Sequence, residues 1–125
     1  MNKKVTLIVR VVFGLILLAL GITSFLNLPV PEYPETAKAF LTALDDTGYI
    51  NPVIGIVFVI AGLSFVSGRY VALGAVLLAP ITVNIVLFHL FLDLKSIVPG
   101  LVVFLLNIFI AYAESGKYKM LFVSK

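Results

Sequence analysis

The chain has 125 residues, 62% hydrophobic and 12% charged, with a net charge of +3 and no cysteine. A soluble domain is nearer half apolar and a quarter charged, so these proportions describe a membrane protein. The lack of cysteine excludes disulfide exchange, thiol nucleophiles, Cys-ligated zinc and iron–sulfur clusters within the chain. No basic patch is interleaved with aromatic residues, which argues against nucleic-acid binding.

Four apolar segments of about 20 residues each take up most of the sequence and leave no room for a soluble catalytic domain. The first, residues 5–26, has full membrane length. Lys3 and Lys4, the apolar run and Ala19-Leu20-Gly21 imitate a signal peptide, but the segment is read as a retained span. Arg10 lies about 7 Å into it. One reading has its side chain snorkel to the membrane edge. The other turns it inward, because Gly14, Leu17 and Gly21 share its face and small residues admit a neighbouring helix.

Asn27-Leu28-Pro29-Val30-Pro31-Glu32-Tyr33-Pro34 holds three prolines and reads as a linker. A short helix follows over about 35–47, with proline and an acid in its first turn. Ala37, Phe40, Leu41 and Leu44 form one apolar stripe. The helix is too short and too charged to span, so it is expected to lie at the membrane interface and to end at Gly48. A lid over a cavity mouth is the functional alternative.

The second span covers residues 50–67. Its Gly55 and Gly62 are spaced like Gly14 and Gly21, and each pair is followed by Ser-Phe (Ser24-Phe25, Ser64-Phe65). Packing on small-residue faces explains this echo without duplication. Ser67-Gly68-Arg69 turns the chain into a third span over about 70–92. There Pro80 cannot donate to the carbonyl of Val76, and Asn84 and the chain's one histidine, His89, interrupt the apolar run. Thr82, His89 and Asp93 fall on one face, whereas Asn84 is turned by about 140° from His89. Lys95-Ser96 closes a short loop before the fourth span, 97–113, with Pro99-Gly100 in its first turn, Asn107 within it, and Tyr112 and Glu114 at its end.

The predicted fold is therefore all-α: a four-transmembrane-helix bundle with a short amphipathic interfacial helix between spans one and two. With four spans, Lys3, Lys4, Arg10, Arg69, Lys117, Lys119 and Lys125 share one side, seven of the nine basic residues. Lys38 and Lys95 lie on the other, with Glu32, Glu35, Asp45, Asp46 and Asp93. The positive-inside rule then places both termini in the cytoplasm.

Several stretches resemble the DoxX family of small bacterial membrane proteins. They are Arg10-Val11-Val12-Phe13-Gly14, Gly55 to Gly62 with Ser67-Gly68-Arg69, Ala79-Pro80-Ile81-Thr82-Val83-Asn84 with Phe88-His89-Leu90-Phe91, and Leu106-Asn107-Ile108-Phe109-Ile110-Ala111-Tyr112. The resemblance implies a four-helix bundle of the inner membrane associated with redox chemistry. One related subunit belongs to thiosulfate:quinone oxidoreductase, and other relatives are linked to oxidative-stress complexes. The chain departs from the family pattern at Phe58, about where a glutamate often stands between the glycines, and this weakens any proton-coupled role carried over.

Two constellations are candidate sites. Towards the outer side, Thr82, Asn84, His89 and Asp93 form a ligand-binding candidate: a carboxylate beside a histidine orients the ring, and a histidine donates to a quinone carbonyl in an apolar slot. Towards the cytoplasm, Arg10, Asn107, Tyr112 and Glu114 form a candidate polar clasp between spans one and four; the alternative is an anionic site for a lipid head group or substrate. One histidine and one carboxylate are too few for a metal site. No Ser-His-Asp arrangement and no phosphate loop is present, so whether the chain is an enzyme stays open, with the reading leaning against it for the isolated chain. The leading expectation is an accessory subunit, embedded in the lipid bilayer, that binds a quinone, lipid or other apolar small ligand and supports a redox partner protein. The alternatives are a small transporter or permeability factor and a purely structural protein. Oligomeric state stays open.

Overall fold

The computed structural model describes residues 2–26 and 32–124. The proline linker falls mostly on residues 27–31, outside the described residues. Five α-helices follow one another: α1 (Lys3–Thr23), α2 (Glu35–Asp46), α3 (Ile50–Ser67), α4 (Val71–Leu92) and α5 (Ile97–Ala113). A 3₁₀ turn, Leu94–Ser96, leads into α5, and a 3₁₀ segment, Ser115–Phe122, follows it. Helices α1, α3, α4 and α5 are each long and apolar enough to cross a membrane, α5 together with its preceding turn. The described chain is an all-α four-span bundle.

Local chemistry sets the ends. Helix α1 begins at Lys3, earlier than the apolar run alone indicates, because Asn2 Oδ1 accepts from the amides of Lys4 (2.9 Å) and Val5 (3.3 Å). Such a cap satisfies amides that a helix start leaves without partners. The α1 C-terminus comes at Thr23 rather than Leu26, where the Thr23 and Ser24 hydroxyls donate to Leu20 O. Between α3 and α4 the chain reverses at Gly68, whose φ of +77° is the left-handed conformation glycine adopts without penalty. Ser64 Oγ donates to Arg69 O at 2.7 Å and ties this turn back to α3.

Helices α1 and α3 pack antiparallel on their glycines. A Cβ at Gly14 would stand 2.9 Å from Gly62 O, and one at Gly62 would stand 2.9 Å from Gly14 O. Gly21 and Gly55 are related in the same way, at 3.0 and 3.1 Å. The seven-residue echo is thus the two sides of one seam, where backbones touch because no side chain intervenes. Phe13 and Leu17 of α1, Phe58, Ala61 and Phe65 of α3, Val71, Ala75 and Leu78 of α4, and Ile110 of α5 fill the core. Phe13 and Phe65 meet in it with ring centroids 5.6 Å apart.

Large apolar side chains stand half exposed along the outward faces of all four spans, among them Leu15, Ile56, Leu63, Leu73 and Leu105. A belt of that extent needs an apolar solvent. Helix α2 does not span. It packs against α3 and α4, burying Ala37 completely and Leu41 and Leu44 in part. Asn51 Nδ2 donates to Asp45 Oδ1 at 3.1 Å and fastens its far end to α3.

Candidate functional site

Three polar loci sit in this frame. The first is at the end of α4 that α2 covers. Asp93, the residue after α4, is 5% exposed, and its Oδ2 has no hydrogen-bond partner among the described residues. One turn back, His89 Nδ1 lies 3.3 Å from Asp93 O. A carbonyl only accepts, so Nδ1 carries the proton in the neutral ring and Nε2 presents a lone pair. The Cδ2–Nε2 edge rests on Gly100 of α5, where a Cβ would stand 2.7 Å from Cδ2 and 3.2 Å from Nε2. Aromatic rings complete the locus. Phe88 meets His89 edge-on at 5.1 Å, Tyr33 edge-on at 6.0 Å, and Phe40 of α2 at 5.7 Å.

The second locus lies inside the bundle. Asn107 Nδ2 donates to Ala75 O at 3.2 Å, which fixes the amide orientation and leaves Oδ1 as an acceptor. Thr82 Oγ1 stands 2.8 Å from that Oδ1 and 3.1 Å from Ala79 O. Both side chains are buried and join α4 to α5 within a turn of Pro80.

The third locus is at the opposite end, where both chain termini lie. Lys3, Thr6, Leu7 and Arg10 of α1 and Ala113 of α5 line a groove of about 540 Å³. The Arg10 guanidinium lies against Gly68, where a Cβ would stand 3.0 Å from Nη2 and 3.3 Å from Cζ.

The predicted groupings are rearranged accordingly. His89 meets Asp93 through the backbone carbonyl that follows α4, not through the carboxylate that the sequence set beside the ring. Thr82, buried and engaged with Asn107, belongs to the interior instead. Asn84 is exposed on the outer surface of α4 and joins neither group. The clasp of Arg10, Asn107, Tyr112 and Glu114 is not assembled. Asn107 is held by Thr82 and Ala75, Tyr112 is 68% exposed, and Glu114 pairs with Lys117 at 2.6 Å. Arg10 is half-buried but reaches the α3–α4 turn rather than α5. Sequence reasoning missed Tyr118, which donates to Ala72 O at 2.8 Å and docks the C-terminal segment on α4. Burial, and next the nearby Glu114 carboxylate, raise its pKa above the ordinary tyrosine value. It also missed Tyr33 as a partner of Phe88; only the tertiary placement of α2 brings those rings together.

Four apolar spans and a belt of outward-facing apolar side chains define a multi-pass α-helical membrane protein. The sequence model of the DoxX family matches residues 5–90, from the start of α1 to near the end of α4, and the chain belongs to that family. No match was found among curated proteins or among solved structures.

Proposed function

We propose that this chain is an accessory subunit of the bacterial inner membrane, with both termini in the cytoplasm, that receives a quinol head group beside His89 and Asp93 and supports a redox partner protein. The observation that carries the reading is the buried Asp93 carboxylate with one oxygen lacking a partner. A buried acceptor left unmatched costs about 1–3 kcal/mol, and native structures rarely keep one without a reason. An O–H donor from a ligand supplies the missing bond.

The donor set favours the reduced form of the ligand. With the imidazole neutral and the carboxylate ionised, His89 Nε2 and Asp93 Oδ2 both accept, so a hydroxyl finds partners there and a quinone carbonyl does not. This refines the expectation from sequence, in which the histidine donated to a quinone. Phe88, Phe40 and Tyr33 offer aromatic faces for a flat ring. When bound, a quinol supplies two electrons and two protons. His89 and Asp93 orient its hydroxyls, which donate to Nε2 and Oδ2, and Phe40 of α2 packs on Phe88 beside them. Membrane orientation rests on the sequence, which assigns seven of the nine basic residues to the side of both termini. The redox association is what family membership implies.

Titration of the detergent-solubilised protein with decylubiquinol tests the reading. His89→Ala should keep the helicity of the wild type and weaken binding at least about tenfold, as loss of a buried hydrogen bond to a ring nitrogen does. Equal affinities would remove His89 from the site.

A further inference from the structure

The groove between α1 and α5 is remote from His89 and carries a separate chemistry. Lys3, Thr6 and Arg10 stand at i, i+3 and i+7, on one face of α1, and Leu7 and Ala113 close the sides. Its volume of about 540 Å³ falls within the range of about 300–1,000 Å³ usual for small-ligand sites. Thr6 donates its hydroxyl to Asn2 O at 3.0 Å, so it forms wall rather than donor. The free donors are the Lys3 ammonium and the Arg10 guanidinium.

Arg10 is the unusual member. Among the described residues no acceptor takes a hydrogen bond from any of its nitrogens, and Nε is buried without a partner. The nearest acidic candidate at that end, Glu114, is already bonded to Lys117. Gly68 has no side chain to push the guanidinium away, so Nη1, Nη2 and Cζ all approach the α3–α4 turn closely. The Arg10 Cα is about 10 Å along the helix axis from that of Lys3, which brings its guanidinium level with the α3–α4 turn. A fixed planar cation in such a place, with a second cation above it, calls for an anion with several acceptor oxygens. Phosphate fits, since its oxygens match the guanidinium fork and leave one for the ammonium.

We infer that Lys3 and Arg10 form a binding site for a phosphate oxyanion, carried by the head group of an anionic lipid or by free phosphate. The bilayer surrounds the groove with head groups at this level, whereas free phosphate must enter from the aqueous side.

Calorimetric titration of the detergent-solubilised full chain at physiological salt tests this, with dihexanoylphosphatidylglycerol and inorganic phosphate as probes. The expected result is saturable binding of one or both probes. It should weaken at least about tenfold in Lys3→Gln and in Arg10→Gln, because each loses charge-assisted hydrogen bonds, and stay within about twofold in Lys119→Gln, whose charge lies outside the groove. Lys3 is exposed, so Lys3→Gln reports on the site even if Arg10→Gln perturbs folding. Phosphatidylglycerol binding that inorganic phosphate does not displace assigns the site to the lipid head group; displacement by inorganic phosphate assigns it to the free anion. Absence of saturable binding by either probe would overturn the inference. So would equal weakening by Lys3→Gln and Lys119→Gln, the mark of diffuse surface charge.

Discussion

Thr82 and Asn107 offer a sharp test of the packing, because their geometry makes the two single substitutions unequal. Asn107→Leu removes an amide but orphans little. Thr82 Oγ1 still has Ala79 O within reach at 3.1 Å, and Ala75 O remains an acceptor within its own helix. The loss is then two hydrogen bonds, and such bonds between membrane helices average about 0.6 kcal/mol each, so about 1 kcal/mol in all. Thr82→Val instead leaves Asn107 Oδ1, buried at 3% residue exposure, with its one described donor gone. A stranded buried acceptor costs about 1–3 kcal/mol, so the smaller chemical change should do the greater damage. With both substitutions made, no acceptor is stranded, and the double variant should lose less than the sum of the singles. Reversible unfolding by sodium dodecyl sulfate in mixed micelles, followed by circular dichroism, measures all three. Thr82→Val without effect, or strictly additive losses, would refute the reasoning.

Phe40→Asp with Leu41→Asp should release α2 and raise protease cleavage between Pro34 and Gly48. Phe40 is 40% exposed, so its burial gives less than the 1.5–3 kcal/mol of a fully buried side chain, about 1 kcal/mol; unchanged cleavage would mean that hydrophobic docking does not hold this helix. Tyr118 is protonated in its bond to Ala72 O, and its pKa in the folded state lies above the unfolded value of about 10. Its stabilisation is therefore complete below about pH 10 and is lost as pH rises through the raised pKa. Tyr118→Phe should remove that alkaline fall in unfolding free energy and cost about 0.5–1.5 kcal/mol at neutral pH; an alkaline fall identical in wild type and variant would contradict the assignment.

The spans were legible because hydropathy is a local quantity: any 20 residues from α1 or α4 announce themselves without reference to the rest. The glycine seam was legible as spacing, and the structure shows why, since Gly14 with Gly62 and Gly21 with Gly55 each recur after two turns. Side-chain partners across the bundle were not. Helical periodicity places Thr82 on the face of His89 and Arg10 on the face of Gly14, but it does not say how α4 and α5 are rotated against each other. That rotation puts Asn107 on Thr82 rather than on Arg10. Arg10 could not be placed because its neighbour is a backbone turn at Gly68, which has no side chain to advertise a contact. At the covered end of α4, the i,i+4 spacing of His89 and Asp93 was readable, whereas the rings of Tyr33, just before α2, and Phe40, within it, arrive through the fold of a separate segment.

The most direct test of the central claim compares the two redox forms of one ligand on the same protein. The site beside His89 and Asp93 offers acceptors, so decylubiquinol should bind at least about tenfold more tightly than decylubiquinone, the ratio that about 1.4 kcal/mol of unmatched acceptor produces. Asp93→Asn, which adds a donor, should narrow that preference. Equal binding of the two forms by the wild type, or tighter binding of the quinone, would contradict the account.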